Sequence, residues 1–352
     1  MKSLVSPAGA LRAGIFFAIL IAIPLVGGPS WLLNMLIFTV MYAALSSSWN
    51  IVGGYAGYPS LGHAAFFGIG AYAVGITFSK SVGAGYSPFW SLPVIGLAVA
   101  LIAVPVGWIS MRTRQDVFAI VTITILFIAQ TLAFNLNGLT GGAQGTSVAA
   151  PPFPAGTYDW PFYFAMVVIL AVTMLISHLI SNSKFGLALL TVRADEDKAQ
   201  GIGVRVTGVK VSAFALSAGM VAMVGGIWAY YVGFIYPQFA VDPLITIGIV
   251  LMTFLGGKGT LWGPVLGAFI LVPAQEYFAQ AFGASELYLL AYALVFIVIM
   301  LFLPRGIIPS IAMARHRRWQ RLAGEAGSTV PAAGGTSTDA MDPTATMTEG
   351  TR

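Results

Sequence analysis

The chain has no cysteine among its 352 residues, which excludes a disulfide framework, a thiolate metal site and a cysteine nucleophile. Charge is nearly as scarce, since Asp, Glu, Lys and Arg make up 8% of the residues against about 25% in an ordinary soluble domain. The histidines, His63, His178 and His316, are scattered too widely for metal-ligand spacing. Ser60 and Ser217 stand without the His/Asp company that makes a serine a nucleophile. From Gln115 to Ser183 there is no Lys or Arg at all. GGKGT at 256–260 lacks the earlier glycine of a phosphate-binding loop, Met252 standing in its place, and no strand precedes it.

What is abundant is apolar. Hydrophobic residues are 58% of the chain and mean hydropathy is +0.87. Runs near 20 residues long at this composition describe a polytopic membrane protein. The 41 glycines suit helices that approach closely. A pI near 9.4 does not point to nucleic acid, because the cations are spread over loops and tail and mark topology instead.

In chain order, spans are predicted at 13–27, 31–53, 53–75, 89–111, 117–136, 160–180, 211–232, 243–255, 262–280 and 286–303. Between Gly53 and Gly75 the glycines at 53 and 57, and Ala64 with Gly68, stand four apart and so are expected on one helix face. The short 243–255 segment meets the next through GGKGT, which predicts that one of the two is broken or re-entrant. The Gly- and Pro-rich link 137–160 reads as irregular backbone.

Ten spans with both ends inside leave only Lys80, of 17 Lys and Arg, on the outer side, the bias expected of cytoplasmic loops. The outer side holds Asp159, Asp242, Glu276 and Glu286 instead. The fold expected is an all-α polytopic membrane protein of about ten transmembrane helices with cytoplasmic N- and C-termini.

The longest charged interruption before the tail is the island Asn182–Lys210. It carries Lys184, Arg193, Lys198, Arg205 and Lys210 around the acidic run Asp195, Glu196, Asp197, and is expected in water on the cytoplasmic side. A short helix is predicted from Ala194 to Gln200, its acidic residues in the first turn complementing the helix dipole and Gly201 or Gly203 ending it. Charge inside the spans is otherwise nearly missing. Glu276, 14 residues into its span, lies about 21 Å along it at roughly 1.5 Å per residue, and reads as a carboxylate near the outer interface rather than a coupling site. Without coupling charges an external energy source is expected. Asn50, Gly57, Ser60 and His63, with Gly141 and Gly142 of the outer link, offer polar groups and exposed backbone as candidates for a solute pathway.

Six stretches carry a resemblance: SLGHAAFFGIGAY at 60–72, TRQDVFAIVTI at 113–123, LTGGAQG at 139–145, GLALLTVRADEDKAQGIGVRVTGVKVSAFALSA at 186–218, LGGKGTLWGPVLGA at 255–268 and LPRGIIP at 303–309. Over roughly residues 31–310 the chain resembles the branched-chain amino-acid ABC transporter permeases of LivM type. It departs from them at Gln115, where a glycine is usual, and in the tail after Ser310.

The resemblance implies a permease without catalytic chemistry of its own in a bacterial inner membrane. Its implied partners are a second permease subunit, two cytoplasmic ATP-binding subunits that use ATP and Mg, and a periplasmic or lipid-anchored solute-binding protein. No cofactor is expected on this chain, and no nucleic acid partner. Residues 182–210 would be the coupling loop, with Arg193, Ala194, Asp195, Glu196, Asp197, Ala199 and Gly203 facing the ATPase. The domain division expected is a permease domain over 1–310 and a mostly disordered cytoplasmic tail over 311–352. Competing readings are a permease for urea or short amides, an ion-coupled secondary carrier and a purely structural membrane subunit.

Overall fold

A computed structural model of the chain describes residues 7–25, 29–78, 87–282, 293–294, 297, 301 and 306–313. The chain divides into two units, Met1–Ser310 and Ile311–Arg352, and of the second only the helical residues 311–313 are described. Lys80, His316, the tail from residue 314 on and nearly all of the span expected at 286–303 lie outside the described residues.

The first unit is built from α1 (Pro7–Leu25), α2 (Ser30–Asn50), α3 (His63–Thr77), α4 (Leu92–Ser110), α5 (Gln115–Asn135), α6 (Asp159–Ser181), α7 (Lys184–Ala194), α8 (Glu196–Gly201), α9 (Val206–Val232), α10 (Pro243–Gly256) and α11 (Gly263–Phe282). Among the described residues six stretches are long and apolar enough to cross a membrane: Ser30–Ala56, Pro88–Ser110, Gln115–Asn135, Asp159–Ser181, Val206–Val232 and Pro237–Gly256. Leu11–Leu25 and His63–Thr77 are shorter apolar helices.

Hydropathy separates the centre of this bundle from its rim. The α2 and α9 spans have the lowest mean hydropathy, 1.5 and 1.7, yet are buried over most of their surface. By contrast the spans of α4, α5 and α6 reach 2.3 and are less than half buried. In lipid the outward face must be apolar, so the small and weakly polar residues collect inside. On α9 they make backbone contact. A methyl group at Gly225 would overlap the Phe67 carbonyl, and one at Gly70 would overlap the Ala222 carbonyl, so α3 and α9 approach as closely as helices can. On its other side α9 meets α4 through Gly219 and Gly96, where an added Cβ at either would stand about 2.6 Å from a residue of the other helix.

Proline in α1 is accommodated by a partner. Pro24 has no N–H to give the carbonyl four residues back, and that carbonyl, of Leu20, accepts a 2.9 Å bond from the Tyr163 hydroxyl of α6. One end of the bundle is closed by a two-stranded ribbon, β1 (Thr146–Ser147) antiparallel to β2 (Phe234–Ile235). Gly141, Gly142 and Gly145, all at positive φ, turn the chain into β1. At the same end Asn34 donates to the Tyr231 hydroxyl, which donates to Asp159. The link 137–160 is thus irregular as expected, but anchored by the ribbon.

Four expectations are corrected. The glycine-rich stretch after Asn50 is not one helix: Ile51–Ala56 forms a π turn, 57–62 is irregular, and only then does α3 begin. Gly57 sits at φ 77 outside any helix, so it shares no helix face with Gly53. Second, neither α10 nor α11 is broken, each being continuous, and the interruption of the helix ladder lies instead between α2 and α3. Third, the island is mostly helical, being α7, α8 and the first turn of α9. Fourth, the short helix runs Glu196–Gly201, because Asp195 is extended at φ −165, ψ 116 and leaves Ala194 as the last residue of α7.

Candidate functional site

The short helix α8 is fixed at both ends by its own sequence. At its start the Asp195 carboxylate accepts from the Lys198 N–H at 3.0 Å, the bond that defines an N-cap. That bond and the Lys198 ammonium 3.0 Å away hold the Asp195 carboxyl below its ordinary value. At its end Gly203 adopts φ 87, the Gly203 N–H bonds the Gln200 carbonyl and the Val204 N–H bonds the Ala199 carbonyl. These two bonds make a Schellman cap with glycine at its left-handed position. Ala199 is buried beneath α8, while Lys198 and Ile202 project, Ile202 being 72% exposed. Beside it runs a groove of about 720 Å³ lined by Arg112, Arg114, Asp197, Gln200 and Arg205, among others.

The island grips the broken segment between α2 and α3 at two points. Arg193, in the last turn of α7, donates to the Gly54 carbonyl at 2.7 Å. Its stem lies over Gly57, where a Cβ would come within 2.7 Å of the Arg193 Cγ. The second grip is a partly buried cluster. Glu196 of α8 accepts from the Tyr58 hydroxyl and is ion-paired with Lys210 of α9. The Lys210 Nζ lies 3.2 Å from the Tyr58 hydroxyl and 4.3 Å from the centre of its ring. Lys210 was expected in water with the rest of the island, yet its side chain is only 3% exposed. Burial costs an ammonium its hydration, and the carboxylate and aromatic face replace it. Burial first, and the Glu196 carboxylate second, push the Tyr58 phenol well above its ordinary range, so it remains a donor.

The GGKGT turn closes onto the same place. Asn50 accepts from the Gly259 N–H at 2.8 Å and donates to the Thr260 carbonyl at 2.9 Å, so its amide is spent on pinning that turn to the end of α2. Lys258 caps the Phe254 ring at 4.8 Å. Burial and the nearby Arg193 guanidinium hold its ammonium below the ordinary lysine range.

Deeper in the bundle Ser60 and His63 form a closed relay. The Ser217 hydroxyl donates to the Ser48 carbonyl at 2.7 Å, so it accepts from His63 Nε2, 2.8 Å away. His63 Nδ1 is then the acceptor for the Ser60 hydroxyl at 2.9 Å, and Ser60 in turn accepts from the Gly62 N–H. The hydrogen-bond chain therefore fixes the Nε2–H tautomer and a neutral ring. The Trp49 indole holds the Ser60 carbonyl, and Thr122 and Thr246 hold the N–H groups of Leu61 and Ala64.

The sequence-predicted residues thus fall into three places. Arg193, Ala194, Asp195, Glu196, Asp197, Ala199 and Gly203 gather on the end of α7, on α8 and at the two caps of α8. Asn50, Gly57, Ser60 and His63 lie along the broken segment that α7 and α8 grip. Gly141 and Gly142 are at the other end of α5 and do not join them. Tyr58, Gly54 and Thr122 were missed, Lys210 was read only as a solvated island cation, and Ser217, like Ser60, was read as lacking the histidine company that His63 gives to both. A lysine embedded in an apolar run at a helix start, Val209–Lys210–Val211, and a tyrosine inside a Gly/Pro turn were the available signals.

A family model described as a branched-chain amino acid transport system permease component matches residues 31–303. The chain belongs to that permease family. It is 26% identical over 301 residues to the high-affinity branched-chain amino acid transport system permease protein LivM of Salmonella typhimurium, covering 77% of this chain and 68% of that one. The LivM of Escherichia coli is similar to the same extent. A probable LivM of Methanocaldococcus jannaschii is 24% identical, over 78% of this chain and 92% of its own length. No solved structure matches the chain. Its relatives are transport components rather than enzymes, and membership with the apolar helices makes this a multi-pass membrane protein.

Proposed function

We propose that the chain is the lipid-embedded gate of an ATP-driven importer for branched-chain amino acids. It works beside a second permease, two ATP-binding subunits that hydrolyse ATP with Mg, and a solute-binding protein outside the cell. In this reading the chain crosses a bacterial inner membrane about ten times with both termini, α7, α8 and the GGKGT turn in the cytoplasm, which the Lys and Arg bias of the loops supports. The β1–β2 end then faces the binding protein. Family membership supports the substrate class in this reading.

The observation that carries the coupling role is the build of α8. It is a single rigid turn and a half, capped at both ends, with Ile202 and charged residues projecting and Ala199 seated. Such a peg transmits closure of the ATPases to the bundle, whereas a floppy loop does not. Closure shifts the bundle only because nucleotide binds the two states unequally. The test is charge reversal at Asp195 and Asp197 in the reconstituted complex. ATP hydrolysis should persist while solute uptake falls away. Wild-type uptake in that variant would remove α8 from the coupling path.

A further inference from the structure

The backbone breaks at Asp195, between α7 and α8. An extended residue joining two helices is a place where one can swing relative to the other. Arg193 belongs to α7, so its grip on Gly54 does not follow α8. Glu196 is the first residue of α8 and does follow it. Its carboxylate is the point where α8, the first turns of α9 and the broken segment meet, through Lys210 and Tyr58.

The broken segment interrupts the α ladder between α2 and α3. Its Ile51–Ala56 stretch is in π geometry, a local departure from α pairing of the kind found at functional sites. Beyond it residues 57–62 carry no regular ladder. The far end of the segment is tied to the centre of the bundle by Ser60 and by His63, the first residue of α3. A pull on Tyr58 therefore bears on Ser60, two residues on, and through it on the His63–Ser217 contact between α3 and α9.

We propose that Glu196, Lys210 and Tyr58 form a strut that carries displacement of α8 into residues 57–62 and so to the His63–Ser217 contact. Tyr58 and Lys210 are positioning residues in this scheme, and touch no solute. The proposal rests on the importer reading, and adds to it the path by which the peg reaches the interior.

The experiment uses the complete complex in proteoliposomes, with binding protein and leucine as the transported probe, and reads leucine accumulated per ATP hydrolysed. The wild-type complex is the control for the importer reading itself, which fails if wild type shows no ATP-dependent uptake. Tyr58→Phe removes one hydroxyl and keeps the ring. The expected result is hydrolysis near the wild-type rate with uptake per ATP reduced about fivefold or more, the low end of coupling effects between sites. Glu196→Lys and Lys210→Glu singly should uncouple further, and the double swap should restore much of the ratio. Thermal unfolding of each purified permease identifies variants that fail to fold, and Tyr58→Phe keeps the test open if the charge variants do. An unchanged ratio in Tyr58→Phe overturns the strut. So does a parallel loss of uptake and hydrolysis, which marks a residue that only holds the fold.

Discussion

Arg193 donates to the carbonyl of Gly54, 139 positions earlier in the chain, and its stem fills the space over Gly57 that any side chain there would occupy. One side chain thereby joins the helix before the peg to the break after α2. Arg193→Ala leaves the Gly54 carbonyl without its donor and empties the space over Gly57. A lost bond to a charged group of this kind costs about 1.5–3 kcal/mol, visible as a lower unfolding temperature of the purified protein. Arg193→Lys should recover little, because the ammonium presents no planar fork to reach past Gly57.

Gly57 and Gly203 both sit at positive φ, but only one is crowded. Nothing lies within 4 Å of a Cβ at Gly203, whereas one at Gly57 meets Arg193. Gly203→Ala should cost about 1 kcal/mol from the left-handed backbone alone. Gly57→Ala should cost clearly more, since Arg193 must also be displaced. Hydrogen exchange would place the first effect in residues 196–204 and the second across the α7 grip.

Asn50 uses both halves of its amide on the GGKGT turn. Asn50→Leu leaves the Gly259 N–H and the Thr260 carbonyl unpaired, at about 1–3 kcal/mol for a buried polar group. Asn50→Asp keeps the acceptor for Gly259 but loses the donor to Thr260, and sets two oxygens together. Both should lower the unfolding temperature, and faster exchange at the turn would localise the cause.

His63 is held as the Nε2–H tautomer. Nitrogen chemical shifts of histidine-labelled protein should show Nδ1 unprotonated at neutral pH, and Ser217→Ala, which removes the Nε2 partner, should perturb that signal. A protonated Nδ1 in the wild-type protein would contradict the relay as drawn.

The Asp195 cap has a defined pH window. Its carboxyl is held below the ordinary 3.8 in the folded chain, so the capped form is favoured at every pH above that value. The contribution is lost as pH falls through the lowered folded value. Amide exchange of Lys198 should therefore be insensitive to protonation of this cap from neutral pH down to the carboxylate range, and accelerate below it. Asp195→Asn should largely remove that acid sensitivity while retaining a cap.

Much of this was legible in the residues because the membrane leaves few options. Apolar runs and the Lys/Arg bias give the helices, and the acidic run before Gly203 gives the peg to within two residues. The error at its start is instructive: Ala194 is a good helix former and nothing in composition marks the break, which arises because Asp195 caps α8 instead of continuing α7. The glycines at 53–57 misled for a related reason. Four-residue spacing means a shared face only if the helix is α, and here it passes into a π turn. The Glu196–Lys210–Tyr58 cluster was hidden because an ion pair across 14 residues and a tyrosine 138 residues away have no local signature as a pairing. The apolar neighbours of Lys210 hint at its burial, but not at its partners.

The account depends on this chain being a gate driven by another molecule's ATP. The most direct measurement is leucine uptake into liposomes holding the purified permease pair, with and without the ATP-binding subunits and binding protein. Accumulation should appear only with ATP and all components present. Steady accumulation by the permease alone, driven by a proton or sodium gradient and abolished by Glu276→Gln, would contradict it.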